Sequence, residues 1–207
     1  AQDNIKKETF LFATNDGVEL FLDRYTSTTT YTTPQPAMIF AFGGGFVGGT
    51  RDRDFYQLYF NHLAENGIVV VSIDYRLGLK NLPSDASMID MIGYLSNAVN
   101  IAVEDMYSAT NYLIANAKEW NIDTSKIMIS GSSAGAITAL QAEWLRDKGA
   151  ELAKVLPEDF RYAGVVSCAG ALFSTKGKPK FSGSAAPMLL FHGTSDSNVP
   201  YNKASVM

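Results

Sequence analysis

The feature that most constrains this chain is an apolar, strand-prone run at residues 127–129 that leads into Gly131-Ser132-Ser133-Ala134-Gly135. A helix-prone run at residues 137–148 follows it. Gly-x-Ser-x-Gly between a strand and a helix predicts a sharp bend, the nucleophile elbow, that lifts the serine Oγ clear of the sheet. Such a bend strains the serine backbone and brings strand and helix so close that only glycine fits two positions on either side. An ordinary Gly/Ser turn is the alternative interpretation.

A second glycine-rich stretch, Gly43 to Gly49, follows an apolar run at residues 37–42 that is typical of a buried strand. It satisfies G-x-G-x-x-G, but a dinucleotide site needs such a loop to run straight into a helix N-terminus. Here residues 49–54 delay the helix, and Asp52 and Asp54 would repel a phosphate. A second interpretation is that consecutive glycines let backbone N–H groups converge on a developing oxyanion, and a third is a plain flexible turn.

Composition and charge narrow the function classes. The 207 residues fit one domain with a sizeable core, and we predict a single domain over residues 1–207. A net charge of −4 gives no basic footprint for nucleic acid, and no apolar run reaches the roughly 20 residues of a membrane-spanning helix. The single cysteine, Cys168, and the two histidines do not form a metal-ligand pattern. The first residue, Ala1, is compatible with an exported protein whose leader has been removed; a cytoplasmic location is the alternative.

Strand and helix signals alternate along the chain. Strands at residues 8–13 and 18–25 flank Asp16-Gly17, a pair that favours a tight hairpin turn. Further strands are predicted at residues 37–42, 68–73, 127–129, 162–167 and 187–192, helices at residues 54–65, 104–120 and 137–148, and a partly helical, Met-rich excursion at residues 77–100. This alternation predicts a mostly parallel, doubly wound sheet.

Three polar residues outside the glycine motifs are assigned structural roles. His62 lies on the apolar stripe of the predicted helix at residues 54–65, which indicates a packed or capping side chain. Asp74 and Arg76 stand at the end of the predicted strand at residues 68–73, where they could pair with each other and fix the following loop.

Four blocks of sequence resemble the carboxylesterase and hormone-sensitive-lipase-like branch of the α/β-hydrolases. In the order found in that family, they are Phe42-Gly43-Gly44-Gly45-Phe46, Ile73-Asp74-Tyr75-Arg76, Gly131-Ser132-Ser133-Ala134-Gly135, and His192-Gly193-Thr194-Ser195-Asp196 followed by Val199-Pro200. The resemblance covers residues 8–207 and implies an α/β-hydrolase fold: a mostly parallel, doubly wound sheet with an N-terminal antiparallel hairpin, here lacking the last helix and strand. Phe42 departs from the histidine that many members have before the glycines.

The same resemblance implies a chemistry. Ser133 would be the nucleophile and Asp196 the acid that orients a histidine, with the N–H groups of Gly44, Gly45 and Ala134 as oxyanion donors. The implied substrate is a small soluble carboxylic ester, hydrolysed through an acyl-enzyme without metal or cofactor.

Two further expectations concern the substrate and the competing function classes. Aromatic side chains such as Phe46, Tyr75 and Phe173 are expected around the mouth of the site, where they would suit an acyl or sugar-linked ester. The alternatives to an esterase are a non-catalytic hydrolase-fold binding protein and a nucleotide-dependent oxidoreductase.

The sequence does not supply the catalytic histidine that would act as the general base. The family order is Ser, Asp, His, but only His62 and His192 occur here, and His192 precedes the Asp196 loop, where the family pattern makes it structural. We therefore expect the natural chain to continue beyond Met207 and to bring a helix, a strand and a loop histidine. Residues 1–207 alone are expected to be inactive, with the strand at residues 187–192 presenting an unpaired edge.

Overall fold

The computed structural model describes residues 4–83 and 85–202, which form one twisted sheet with helices packed on it. The strands are β1 (Ile5–Asn15), β2 (Val18–Ser27), β3 (Gln35–Ala41), β4 (Val69–Ile73), β5 (Ile122–Ser132), β6 (Gly164–Cys168) and β7 (Met188–Phe191). The helices are α1 (Asp54–Glu65), α2 (Met88–Asn116) and α3 (Ala134–Asp147), with a short 3₁₀ helix at Glu151–Val155. The strand order is β1-β2-β4-β3-β5-β6-β7.

The sheet combines an antiparallel start with a parallel remainder. Strands β1 and β2 form a hairpin, β2 pairs antiparallel with β4, and the other neighbours are parallel. Asp16 and Gly17 at the hairpin turn have φ values of 50° and 76°, as a type I′ turn requires. The mostly parallel sheet with an N-terminal antiparallel hairpin is therefore confirmed.

The helices and the buried strands place three loops at one edge of the sheet. Helix α1 has the bounds that its apolar spacing predicts and packs on β2 and β4, whereas α2 and α3 pack against each other. All five residues of β4 are buried, as expected for a parallel strand that is covered on both faces. Because β3, β4 and β5 are parallel, the loops that follow them meet at the carboxyl edge of the sheet.

Helix α2 differs from the prediction. A partly helical excursion followed by a helix at residues 104–120 was expected, but one continuous helix of 29 residues runs from Met88 to Asn116. Its buried residues begin only at Ala98, so the first ten residues carry a weak burial signal in the sequence, with Leu95 alone among them packed against the core. A capping box starts the helix: Ser87 Oγ accepts a hydrogen bond from the Asp90 N–H, and the Asp90 carboxylate accepts one from the Ser87 N–H.

The predicted pairing of Asp74 with Arg76 is wrong. Arg76 turns to α2, where its guanidinium pairs with the fully buried carboxylate of Asp105 at 2.9 Å and with Glu104 at 2.7 Å. Asp74 instead accepts a hydrogen bond from Arg51 at 2.7 Å. Each residue therefore fixes a different segment: the buried carboxylate of Asp105 needs a cation, which Arg76 supplies, and Asp74 finds its own partner in Arg51.

Of the two roles predicted for His62, packing is wrong, because its side chain is exposed; the residue lies in the last turn of α1, where capping was the other interpretation. Only its backbone takes part in ending α1: the His62 carbonyl accepts hydrogen bonds from the backbone and side-chain amides of Asn66.

Strand β7 forms an edge of the sheet among the described residues. It pairs with β6, and its Leu189, Leu190 and Phe191 side chains are more than half exposed on the two faces of the strand. The unpaired edge expected from the sequence is present in this part of the chain. No helix within residues 4–83 and 85–202 is both long and apolar enough to cross a membrane.

Candidate active site

Ser133 lies at the bend between β5 and α3 in a strained conformation. Its backbone dihedral angles, φ of 52° and ψ of −119°, fall in a region that residues with a Cβ rarely adopt. The surrounding backbone holds it there: the Ser133 N–H donates to the Cys168 carbonyl at 2.8 Å, and the Ser133 carbonyl accepts from the Ile137 N–H at 2.9 Å. The end of β6 and the first turn of α3 thus stabilise the bend.

The two glycines of the elbow allow strand and helix to approach closely. A Cβ on Gly131 would lie 2.3 Å from the carbonyl carbon of Gly135, and a Cβ on Gly135 would lie 2.0 Å from the Ala41 carbonyl oxygen. Both distances are far below any real carbon contact. The close approach that the spacing predicts is therefore present, and it extends beyond the motif because Gly135 also contacts the end of β3.

The glycine loop at residues 43–49 lies directly against this bend. A Cβ on Gly43 would lie 2.9 Å from the Ser132 carbonyl oxygen and 3.2 Å from the Ser133 Cβ. The loop then folds tightly on itself, since the Gly44 carbonyl accepts from the N–H groups of Val47 and Gly48. The start of this loop thus lies against the elbow. Helix α1 begins only at Asp54, so the loop does not run straight into a helix as a dinucleotide-binding loop does.

Three backbone amides of the glycine loop and the elbow are free to donate in the described part of the chain. Within the described ranges, the N–H groups of Gly44, Gly45 and Ala134 donate no hydrogen bond, whereas the neighbouring Gly43 N–H donates to Tyr56 Oη at 3.0 Å. Ala134 is the first residue of α3, where the helix leaves its amides unpaired and its dipole favours negative charge. The loop and the elbow therefore bring together free donors and the Ser133 hydroxyl, an arrangement suited to stabilising an oxyanion.

Asp196 lies on the loop after β7, at the same edge of the sheet as the elbow. Its Oδ1 accepts hydrogen bonds from the N–H groups of Val199 and Asn198, both at 2.9 Å. These bonds, that from Val199 first, hold the pKa of the Asp196 carboxyl below its ordinary value. The carboxylate is therefore ionised at neutral pH.

His192 lies beside Asp196, but its ring is already engaged. Its Nε2 is 2.7 Å from the Val199 carbonyl oxygen, to which it donates, and 3.6 Å from Asp196 Oδ2. This geometry fits the structural role that the sequence assigns to His192, since the nitrogen facing Asp196 is bonded to the backbone of the same loop.

Tyr56 and Arg51 at this edge were not identified from the sequence, and Tyr75 was assigned a different role. Tyr56 and Tyr75 bond to the start of the glycine loop, and Arg51 at its far end bonds to Asp74 and lies 3.2 Å from the buried Asp23. A charged Asp23 within an apolar strand was the available signal, because such a residue needs a buried partner. The prediction that Tyr75 lines the mouth is wrong.

Of the three aromatics expected around the mouth, Phe46 is buried as Tyr75 is, and Phe173 is half-buried. The two buried rings pack on each other with centroids 6.2 Å apart, so they support the glycine loop from beneath. Within residues 4–83 and 85–202, no group of three His, Cys, Asp or Glu side chains could hold a metal ion.

Comparison with known proteins agrees with this geometry. The chain is 33% identical over 102 residues to fumonisin B1 esterase of Sphingopyxis macrogoltabida, a match that covers 49% of this chain and 18% of that protein. It is 31% identical over 120 residues to esterase B1 of Culex pipiens, covering 58% of this chain and 21% of that protein. The chain thus spans about a fifth of the length of these curated relatives.

A solved structure shares the fold over nearly the whole chain. Esterase 2 of Thermogutta terrifontis, phosphoramylated by tabun, superposes with a TM-score of 0.72 at 24% identity, covering 94% of this chain and 74% of that one. The BD-FAE family profile matches residues 22–170, which include the glycine loop and the elbow. The chain belongs to the BD-FAE family of α/β-hydrolase-fold esterases.

Proposed function

We propose that this protein is a serine carboxylesterase that hydrolyses small soluble carboxylic esters through an acyl-enzyme on Ser133. One observation carries the proposal: a hydroxyl on a strained strand-to-helix bend lies against a glycine loop, and three backbone amides of the loop and the bend donate to no other group in the described chain. Strain of this kind persists where the surrounding structure enforces it, and it is concentrated at functional sites. Membership of an esterase family supports the same conclusion.

The reaction follows from the placement of these groups. Ser133 Oγ attacks the ester carbonyl carbon and forms a tetrahedral intermediate, whose oxyanion accepts hydrogen bonds from the Gly44, Gly45 and Ala134 amides. Expulsion of the alcohol leaves an acyl group on Ser133. Water then attacks the acyl carbon through a second tetrahedral intermediate on the same donors, which releases the carboxylic acid and regenerates the hydroxyl.

A base must take the proton of Ser133, because a serine hydroxyl is a poor nucleophile at neutral pH. Neither histidine in the sequence is suited to that role: His62 is exposed on α1, and His192 donates its Nε2 proton to the Val199 carbonyl. We assign the base to a histidine outside residues 1–207, oriented by Asp196, whose Oδ1 is held by two amides while Oδ2 accepts none of these backbone bonds.

The two adjacent serines of the elbow provide the test. In the full-length protein, Ser133→Ala is expected to abolish hydrolysis of p-nitrophenyl acetate while the fold is retained, and an organophosphate is expected to label the wild type on Ser133 in a mass spectrum. Ser132→Ala is the matched control, because it removes a hydroxyl one position away and should retain most activity. An active Ser133→Ala variant, or an adduct on another residue, would contradict the assignment.

The length of the active chain is tested separately. We expect residues 1–207 alone to give no turnover of the same ester. Turnover equal to that of the full-length protein and lost in His192→Ala would show that His192 is the base. A full-length protein that neither hydrolyses esters nor reacts with an organophosphate would instead indicate a binding protein with a hydrolase fold.

A further inference from the structure

One peptide bond at the start of the glycine loop is held by two tyrosine hydroxyls from different parts of the fold. Tyr75 Oη donates to the Phe42 carbonyl at 2.7 Å, and the Gly43 N–H donates to Tyr56 Oη at 3.0 Å. The carbonyl and the N–H belong to the same planar unit, the Phe42–Gly43 peptide. Both bonds are buried, so water does not compete for either partner.

The two tyrosines are themselves firmly placed. Tyr75, which follows β4, stacks on Phe42 with ring centroids 4.5 Å apart, and Tyr56 on α1 packs edge-on to Phe40 at 4.7 Å. Both side chains are less than a tenth exposed. Burial raises the pKa of Tyr75 well above its usual range, so its hydroxyl keeps the proton that it donates.

The residues that follow this peptide are conformationally permissive. Gly44 and Gly45 have φ values of 154° and 63°, and their N–H groups donate no hydrogen bond within the described residues. The Gly44 carbonyl accepts from the Val47 and Gly48 N–H groups, so the loop itself fixes the Gly44–Gly45 peptide and with it the Gly45 N–H. The Gly43–Gly44 peptide makes no such bond within the described residues. The direction of the Gly44 amide is therefore set where the loop leaves β3, at the Phe42–Gly43 peptide.

We propose that Tyr56 and Tyr75 are positioning residues for ester hydrolysis: their hydroxyls fix the plane of the Phe42–Gly43 peptide and thereby aim the adjoining Gly44 amide at the developing oxyanion. The inference rests on the proposed function. Neither hydroxyl contacts substrate, since each is bonded within the buried interior. Their effect is expected on the transition state, where the donors must be aligned, rather than on binding of the ester.

The test removes each hydroxyl and keeps each ring. In the full-length protein, Tyr56→Phe and Tyr75→Phe are each expected to lower kcat for p-nitrophenyl acetate by about 5–50-fold, less than the roughly 10²–10³-fold loss of a whole oxyanion donor. KM should change by less than about twofold. The double variant should lose less than the product of the two single losses, because both bonds hold one peptide.

A matched control separates positioning from general loss of stability. Tyr107 Oη donates to the Ala142 carbonyl of α3 at 2.7 Å, a buried bond of the same type as that of Tyr75, so Tyr107→Phe should leave kcat unchanged. Each variant is assayed below its own midpoint of thermal unfolding. Should one tyrosine variant not fold, the other tests the same peptide independently.

A second measurement tests stabilisation of the oxyanion through the affinity of a transition-state analogue. A trifluoromethyl ketone that forms a tetrahedral adduct on Ser133 should bind the two tyrosine variants more weakly, by about the factor lost in kcat/KM. If the wild type is active and Ser133→Ala is not, but both tyrosine variants keep full kcat, the positioning role is wrong while the esterase assignment stands. An equal loss of kcat in Tyr107→Phe would also overturn it. An active Ser133→Ala variant would overturn both proposals.

Discussion

Gly44→Ala tests the oxyanion assignment most directly, because the structure shows how far the loop must move. A Cβ at this position would lie 1.8 Å from the Gly48 carbonyl oxygen, whereas real contacts of a Cβ are at least 3.0 Å. The loop must therefore shift by more than 1 Å, and a displacement of about 1 Å at a catalytic group can lower the rate about 100-fold. That factor corresponds to about 2.7 kcal/mol, the lower end of the loss of one oxyanion donor.

The assay is steady-state hydrolysis of p-nitrophenyl acetate by the full-length protein. We expect Gly44→Ala to lower kcat about 100-fold with a much smaller change in KM. Gly45→Ala should have the milder effect, below about tenfold, because its Cβ would meet only Val47 Cγ2 at 3.9 Å and the positive φ costs about 1–2 kcal/mol.

A remote glycine controls for backbone strain alone. Gly149 has a φ of 60° with open space around its Cβ position, so Gly149→Ala should lower stability by about 1–2 kcal/mol without altering kcat. A Gly44→Ala variant that is folded and retains wild-type kcat, or that changes KM alone, would refute an oxyanion role for this loop.

Three further predictions follow from contacts described by the structure. Gly135→Ala should lower the midpoint of thermal unfolding or prevent folding, because its Cβ would lie 2.0 Å from the Ala41 carbonyl oxygen and overpacking costs about 1–3 kcal/mol or more. Glu143→Ala should cost about 3–5 kcal/mol in urea unfolding, since the fully buried carboxylate pairs with Arg146 at 2.6 Å and accepts from a loop amide at 2.7 Å. Because the pKa of Asp196 is lowered in the folded protein, its carboxylate stabilises the fold above the unfolded pKa of about 3.9, and this stabilisation is lost as the pH falls through the folded pKa. Acid should therefore change the chemical shifts of the loop in the wild type, and Asp196→Asn should remove that change.

The sequence predicts those elements whose pattern is local. Helix α1 was predicted with its observed bounds because its apolar side chains recur at helical spacing. The buried face is nevertheless that of Tyr56, Phe60 and Ala64, whereas Phe55 and Leu58 are exposed. The hairpin was predicted because Asp16-Gly17 favours the positive φ values of its turn. The elbow was predicted because steric closeness requires glycine at fixed positions.

The missed features depend on contacts between distant residues. The N-terminal part of α2 faces outward, so its apolar residues show no helical burial pattern, and only the capping box of Ser87 and Asp90 marked its start. Arg76 pairs with Asp105, 29 residues along the chain, rather than with its neighbour Asp74. The hydroxyl of Tyr75 likewise bonds to Phe42, 33 residues away. No local pattern encodes such partners, because the fold decides which side chains meet.

The exposed start of α2 has a consequence for how this scaffold can diversify. The helix follows β4 along the chain, and none of its first ten residues is buried. Substitutions at exposed positions usually change the free energy of unfolding by less than about 0.5 kcal/mol. Met88, Ile89 and Met91 can therefore be exchanged at little thermodynamic cost. This exposed surface is free to drift in sequence, whereas Gly131 and Gly135 of the elbow leave no room for a side chain.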